Sequence, residues 1–318
     1  MLRPTLVVAA ALPLALTLAG ASRYAPAPSP PRAAAAQDTA ALRRTLEELV
    51  RGYPGVAGVS VLDLRNGERV SIRGDETFPT ASLIKVAVLV TLLDEVNRGT
   101  IRLDERISML ARDRVGGSGV LQYMQSGIEP TVGDAAWLMT VLSDNTATNL
   151  LLDHLNVKTV WDKMEALGLP HTKIHSKTFL RSTSIAVDSS VKYGLGVTTP
   201  NETARLFELL YRGRAVSPAL DSVAIAMLRA NQDGTKLARW LPDTVAVAHK
   251  TGEVDRSRSD CGIVYGPQAP VVVCAMTREN RDTSYATDNP ANLLMARIGL
   301  AVFRHYNPSV PVSDPPLR

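Results

Sequence analysis

Apolar positions recur along the chain with two different periods, one typical of helices and one typical of strands. Leu42, Leu46 and Leu49 fall on one face of a helix. Residues 55–63 alternate as a strand does, and a turn of the hairpin type at 65–68 predicts that a second strand follows. Helices are predicted over residues 38–53, 81–97, 131–142, 146–154, 157–167, 200–212, 217–228 and 289–305, and strands over residues 55–63, 69–73, 245–251, 260–265 and 271–277.

The order of these elements predicts an α+β fold, an α/β sandwich built around one antiparallel sheet. Strands from both ends of the chain would form a five-stranded sheet flanked by helices, with a block of helices inserted between them. The expected α/β lobe spans about 37–80 and 200–318, and the all-α lobe spans about 81–199. Residues 37–318 are enough for a large core in one catalytic domain.

The first 36 residues predict an export signal and not a part of the fold. Arg3 supplies a positive start, residues 6–18 form an apolar run, and small residues follow at 19–21. Cleavage after 21 or after 36 fits the sequence, with a Pro/Ala-rich spacer over 24–36. The apolar run is short for a membrane span. We therefore expect a secreted or periplasmic bacterial protein, an uncleaved N-terminal anchor being the alternative.

The net charge of +4 overstates how basic the mature chain is, since Arg3, Arg23 and Arg32 are the only charged residues before Gln37. Nothing in the remaining chain indicates binding to nucleic acid or to an acidic membrane. The five histidines are scattered and indicate neither a Ser-His-Asp triad nor a metal site. We expect a monomer that uses no cofactor and no metal.

The two cysteines lie in strand-like segments on either side of a turn. Residues 266–269 form that turn, and a symmetric hairpin around it would bring Cys261 opposite Cys274. An exported protein permits a disulfide here. Two small buried thiols that pack as apolar residues are the alternative.

Three short strings carry the candidate chemistry, and they occur in one order. Ser82-Leu83-Ile84-Lys85 comes first, Ser143-Asp144-Asn145 second and Lys250-Thr251-Gly252 third. An S-x-x-K string alone is weak, because Ser189 and Lys192 form a second one with no obvious partner. The order and separation of the three strings together indicate an enzyme with a nucleophilic serine.

Ser82 and Lys85 lie three residues apart at the start of a predicted helix, so both project over the same face. Residues 86–93 carry no charge, which argues against the alternative of a surface lysine. Burial would lower the pKa of Lys85, as would a second cation such as Lys250. A neutral amine could then take the serine proton.

The other two strings have a structural interpretation beside the catalytic one. Ser143 could relay a proton and Asn145 could offer an amide to a substrate or to Lys85, but residues of this kind also cap helices. Both roles are compatible. Lys250 and Thr251 suit a substrate carboxylate, the alternative being a solvated lysine at a strand end; Gly252 would let a ligand approach closely.

The strings and their surroundings resemble the class A β-lactamases and, more distantly, the penicillin-binding proteins, over roughly 56–306. Thr198-Thr199-Pro200, which opens a predicted helix, adds to the resemblance. The resemblance implies that Ser82 is the acylated nucleophile, that Lys85 accepts or relays its proton, and that Ser143 protonates the leaving nitrogen.

The resemblance also implies a set of binding residues. Asn145 would hold the substrate, and Lys250, Thr251 and Gly252 would form the edge that binds the β-lactam carboxylate. Backbone N–H groups of Ser82 and Glu253 would form the oxyanion hole. Arg258 is the candidate for a second contact to the carboxylate.

Two departures from the class A pattern bear on turnover. The Glu-x-x-Leu-Asn loop, whose glutamate activates the deacylating water, is absent: residues 177–184 contain no acid, and Asp188 is the nearest one. Glu253 is also unexpected, since an anion would repel a carboxylate substrate, although strand alternation allows its side chain to point outward.

Three functions are compatible with these residues. The first is a secreted serine β-lactamase whose deacylation is slow. The second is a related peptidase acting on D-alanyl-D-alanine, or an esterase, with a peptidoglycan-like substrate. The third is a non-hydrolytic β-lactam sensor, which the lack of a recognisable transmembrane output segment disfavours.

Overall fold

The computed structural model describes residues 39–314, so the predicted signal peptide and spacer of residues 1–36 lie outside the described residues. Short 3-10 helices occur at Ala81–Ile84, Ala111–Asp113, Leu121–Tyr123 and Arg181–Thr183. The longer elements are α1 (Thr39–Arg51), β1 (Val56–Asp63), β2 (Arg69–Ile72), β3 (Phe78–Pro79), α2 (Lys85–Arg98), α3 (Val132–Val141), α4 (Asn145–Leu155), α5 (Val157–Ala166), β4 (Lys173–Ile174), α6 (Val187–Tyr193), β5 (Gly196–Thr198), α7 (Pro200–Tyr211), α8 (Pro218–Arg229), β6 (Ala246–Val254), β7 (Ser257–Tyr265), β8 (Pro270–Arg278) and α9 (Pro290–Tyr306).

The main sheet has the strand order β2-β1-β8-β7-β6, and every neighbouring pair is antiparallel. Strands from the two ends of the chain therefore meet at its centre, where β1 pairs with β8. The predicted five-stranded antiparallel sheet and the α+β class are confirmed. β6, which carries the third of the strings, is an edge strand.

The predicted hairpin register around residues 266–269 is also present. Cys261 lies opposite Cys274 between β7 and β8, and the two are joined by a disulfide. Both side chains are fully buried. The bond closes a loop with a sequence separation of 13, and loops of about that length contribute roughly 3 kcal/mol in the chain-entropy account.

Apolar side chains cover both faces of the main sheet. On one face, Leu46 of α1 and Phe303 of α9 pack against Val61 and Val273 of the central strands. On the other face, Phe207 of α7 joins a larger core that extends through α2, α3, α4 and α5. This second core contains the helix that follows Ser82, so burial fixes the start of that helix against the sheet.

A small sheet of order β3-β5-β4 was not predicted, because its strands have only two or three residues and show no usable period. Helix α6 was not predicted either. The small sheet nevertheless positions the first string. The Thr80 N–H donates to the carbonyl of Gly196 at 3.0 Å, which fixes the chain two residues before Ser82.

Across residues 39–314, no helix is long and apolar enough to span a membrane.

Candidate active site

Ser82 lies on the 3-10 helix Ala81–Ile84, which runs directly into α2 at Lys85. Its side chain is partly exposed and lines two adjoining cavities. Ala81, immediately before it, has a φ of 45°, a left-handed conformation that is unfavourable for a residue with a side chain. Strain of this kind persists where the surroundings enforce it, and it is common at catalytic sites.

Lys85 is buried in the first turn of α2, where it is bonded to groups from the second string. Its Nζ lies 2.7 Å from the carbonyl oxygen of Ser143 and 2.8 Å from Oδ1 of Asn145. Burial and the nearby Lys250 place the pKa of Lys85 well below its ordinary value, against a smaller opposing effect of Asp144. The structure thus contains both causes that the sequence suggested for a lowered pKa.

Ser143 places its hydroxyl between the two lysines. Its Oγ lies 3.2 Å from Nζ of Lys85 and 3.1 Å from Nζ of Lys250. A neutral Lys85 has two N–H groups, which the Ser143 carbonyl and Asn145 accept, so its lone pair is free to accept from a hydroxyl. Ser143 also has a positive φ of 55°, which points to the same kind of enforced geometry as at Ala81.

The second string caps a helix through one residue and contacts Lys85 through another. Asp144 caps α4 by accepting from the Ala147 N–H at 2.9 Å, and it also accepts from the N–H groups of Val120 and Leu121. Asn145 donates to the carbonyl of the Gly116 residue at 3.0 Å. The string therefore fastens the glycine loop (residues 116–119) beside the cavity, and Asn145 holds the amine of Lys85.

Lys250 and Thr251 lie in β6 and are buried, not solvated at a strand end. Nζ of Lys250 donates to the Thr251 carbonyl at 2.9 Å as well as to Ser143. Burial lowers the pKa of Lys250 to about 8, although Asp233 and Asp260 oppose the shift. Lys250 is therefore charged at neutral pH and close to losing its proton.

Gly252 permits a close approach by the protein itself. A Cβ at this position would come within 2.1 Å of the Thr80 carbonyl oxygen and 2.9 Å of the Leu83 nitrogen. Only glycine lets β6 pack directly against the 3-10 helix that carries Ser82. Gly252 therefore sets the distance between two walls of the site, and its close approach to a ligand stays a prediction.

The structure corrects the expectation for Arg258. Its guanidinium is fully buried, with Nε 2.9 Å from Oε1 of Glu253. It donates to the carbonyls of Val254 and Ser257 and, at 2.9 Å, to that of Ser284. Because these protein groups surround it, Arg258 holds the end of β6 in place and is not exposed to a substrate carboxylate.

The side chain of Glu253 is likewise engaged and does not simply point to solvent. Its Oε2 lies 3.1 Å from Nζ of Lys236, which also pairs with Asp233 at 2.7 Å. Burial acts to lower the pKa of Lys236, but the two carboxylates outweigh it and raise the pKa. The charge that would repel an anionic substrate is therefore neutralised. No sequence motif surrounds Lys236, so this contact could not be predicted.

The two cavities share Ser82, Ser118 and Glu253 but differ in their other walls. The smaller, of about 280 Å³, includes Ser143 and Lys250. The larger, of about 690 Å³, extends to Thr178. Among the described residues that line either cavity, the carboxylates are those of Glu253 and Asp233, and both pair with Lys236.

Thr178 occupies a wall that sequence reasoning did not single out. Its N–H donates to Oδ1 of Asn149 at 2.7 Å, and its carbonyl accepts from Nδ2 of the same amide at 3.1 Å. The side-chain oxygen of Thr178 is buried and has no hydrogen-bond partner within the part of the chain that the structure describes. This segment therefore presents a threonine, and no acid, to the cavity of Ser82.

Asp188 and the two defining residues of the second S-x-x-K string, Ser189 and Lys192, do not reach these cavities, although Ser190 between them lines the larger one. Asp188 is exposed in the first turn of α6, and Ser189 and Lys192 lie on the same helix. None of the three lines a cavity that contains Ser82.

The chain is similar to known proteins over most of its length. The model of the β-lactamase enzyme family matches residues 41–306. The β-lactamase CARB-3 of Pseudomonas aeruginosa is 28% identical over 258 residues, which cover 78% of this chain and 84% of the relative.

Two solved structures are similar over most of the chain. An ancestral class A β-lactamase (GNCA) superposes with a TM-score of 0.72 at 29% identity, covering 82% of this chain and 98% of that one. A point mutant of PBP-A, solved as an acyl-enzyme complex with penicillin G, superposes with a TM-score of 0.73 at 26% identity, covering 83% of this chain and 96% of that one.

Proposed function

The chain belongs to the β-lactamase enzyme family as a class A-like serine hydrolase, and from this premise we propose that Ser82 opens the amide of a β-lactam through a covalent acyl-enzyme. The observation that carries the proposal is the hydrogen-bonded network in which Ser143 joins the buried Lys85 and Lys250 beside the cavity of Ser82. A desolvated lysine next to a serine is a recognised means of activating the hydroxyl.

Acylation would proceed through three proton transfers that leave Lys85 and Ser143 in their starting protonation states. Ser82 Oγ bonds to the carbonyl carbon as its proton moves to the neutral Nζ of Lys85. The oxyanion accepts from the backbone N–H groups of Ser82 and Glu253. The C–N bond then breaks as Ser143 Oγ gives its proton to the leaving nitrogen, and Lys85 restores the proton of Ser143. The 3.2 Å between Lys85 Nζ and Ser143 Oγ supports this last step.

Substrate binding would depend on the wall formed by β6. Lys250 and Thr251 line the smaller cavity, and a lysine with an adjacent hydroxyl suits a carboxylate. Asn145 acts through Lys85, whose amine donates to its side-chain oxygen. Arg258 has no part in this binding.

We infer that deacylation is slow. A positioned base contributes about 10²–10⁴ to the rate of such a step. The two carboxylates that line the cavities are paired with Lys236, and Lys236 holds the pKa of Asp233 below its usual range although burial acts to raise it. Neither carboxylate is suited to activate the deacylating water. The wall of the larger cavity carries Thr178, which has no carboxylate to act as a base.

A chromogenic cephalosporin followed by absorbance and by intact mass tests the proposed function. We expect a burst equal to the enzyme concentration, a mass increase confined to the peptide that contains Ser82, and a much slower steady phase. Sustained turnover with free enzyme recovered would contradict slow deacylation while leaving the β-lactamase function intact. Protein that gains no mass and turns nothing over would contradict the function itself.

The pKa of Lys250 gives a pH dependence with a definite sign. Since burial lowers this pKa to about 8, the ammonium is lost as the pH rises through that value. We expect the second-order acylation rate constant of a penicillin with a free carboxylate to fall above pH 8. The methyl ester of the same penicillin is the control, because it has no charge to bind. Parallel pH profiles for acid and ester would remove Lys250 from carboxylate binding.

A second candidate function is supported by Thr178, which lines the cavity of Ser82 in place of an acid. An enzyme acting on peptides that end in D-alanyl-D-alanine, or on esters, forms a comparable acyl-enzyme without needing a base selected for β-lactams. Release of D-alanine from such a peptide, at a rate exceeding that of β-lactam turnover, would favour it.

We also propose that residues 1–36 hold an export signal that is cleaved after residue 21 or after residue 36. The active site would lie between an α/β lobe (37–80 and 200–318) and an α lobe (81–199). Ser82 at the start of one segment and Lys250 in the other support this arrangement.

A further inference from the structure

Large apolar side chains are exposed around the mouth of the larger cavity. Phe179 is 72% exposed, Tyr285 64% and Val254 43%, and all three line the cavity that contains Ser82. Exposed apolar groups gathered around a concave site usually mark a surface that binds a ligand. The catalytic steps above use none of these side chains.

Phe179 is held over the opening by an unusual backbone. Its φ is 58°, a region that bulky residues rarely occupy. Its ring lies against the glycine loop, since a Cβ at Gly117 would come within 3.0 Å of the ring. A glycine at that point leaves room for the phenyl ring, so the segments around 117 and 179 meet at the mouth.

Tyr285 is exposed and nevertheless fixed in orientation. Its hydroxyl donates to Oδ1 of Asp255 at 3.0 Å, and its ring centroid lies 5.0 Å from the guanidinium of Arg258. Arg258 also binds the carbonyl of the preceding residue, Ser284. A buried arginine thus anchors an aromatic ring at the cavity wall, which lowers the entropic cost of using that ring to bind a ligand.

We propose that Phe179 and Tyr285 form an aromatic rim that recognises an aromatic acyl group on the substrate. The proposal rests on the proposed function, because the acyl group must be one that Ser82 receives. Both rings line the cavity and are exposed, and aromatic pairs prefer stacked or edge-to-face contacts. The rim therefore selects substrates by the side chain on the acyl carbon, at a distance from the carboxylate that Lys250 would bind.

The test compares two penicillins with one nucleus and different acyl groups, phenylacetyl and acetyl. Their second-order acylation rate constants are measured by intact mass, so that slow deacylation does not interfere. We expect the wild type to prefer the phenylacetyl compound, and Phe179→Asn and Tyr285→Leu each to lower that preference about 3- to 10-fold. Asparagine suits position 179 because it tolerates a positive φ.

Tyr123→Leu is the matched control, since Tyr123 is 80% exposed and lines neither cavity of Ser82. It should leave the preference unchanged. An unchanged preference in both rim variants, with acylation retained, would overturn the proposal. A wild type that is acylated by neither penicillin would instead refute the proposed function. If Phe179→Asn fails to fold, as judged by circular dichroism, Tyr285→Leu alone decides the matter.

Discussion

Replacement of Ser82 by alanine is expected to abolish the mass increase with penicillin or cephalosporin and to lower hydrolysis by at least about 10³-fold, since removing a nucleophile leaves only the contributions of binding and the oxyanion hole. The reason is structural as well as chemical. Ser82 lines both cavities, and the lysine and serine that would move its proton are already joined by hydrogen bonds. Intact-mass spectrometry and initial rates measure the two effects separately.

The chain supplies its own control for this variant. Ser189 is the serine of the second S-x-x-K string and lies on α6, outside both cavities. Ser189→Ala should therefore acylate and hydrolyse as the wild type does. Full acylation of Ser82→Ala, or loss of acylation in Ser189→Ala, would show that the nucleophile has been assigned to the wrong string.

Replacement of Thr178 by glutamate is expected to raise the deacylation rate constant by about 10²–10⁴, the usual contribution of a positioned general base. Asn149 holds the backbone of Thr178 on both sides, so the position is rigid, and the residue lines the cavity of Ser82 with an unpartnered side-chain oxygen. Burial would also raise the pKa of the new carboxyl and so strengthen it as a base. Single-turnover decay of the acyl-enzyme, followed by mass, measures the effect.

Thr178→Gln is the matched variant, because it has the same shape as the glutamate variant but cannot take a proton. An equal rise of the deacylation rate constant in both variants would mean that the substitution acts by loosening the cavity wall and not by activating water. Asp188→Asn should leave decay of the acyl-enzyme unchanged, given that Asp188 is exposed and outside the cavity. A trapped acyl-enzyme in that variant would restore Asp188 as the base.

The long elements and the three strings were predictable because each is encoded locally. Residues 86–93 of α2 follow Lys85 without a charged side chain, and the hairpin between β7 and β8 is centred on its own turn. The single antiparallel sheet followed from strands at both ends of the chain with helices between them. The lowered pKa of Lys85 followed from the same apolar surroundings.

Side-chain partners that come from distant segments could not be predicted in this way. The alternation of side chains along β7 does not reveal that the Ser284 carbonyl and the Glu253 carboxylate both bind Arg258. The sequence therefore suggested a substrate contact for a residue that is buried. Thr178 lies in a turn and is fixed at the cavity wall by Asn149, which lies on α4. Lys236 pairs with Asp233 three residues before it, but nothing in the sequence indicates that it also pairs with Glu253 of β6.

The pairing of β1 with β8 has a consequence for how the protein is made. β8 ends at residue 278 and β1 begins at residue 56, and the two lie side by side in the sheet. A ribosome must therefore release nearly the whole chain before the sheet can be completed, and contacts this distant in sequence form slowly. Any translocation step that requires an unfolded chain has the entire period of synthesis in which to act.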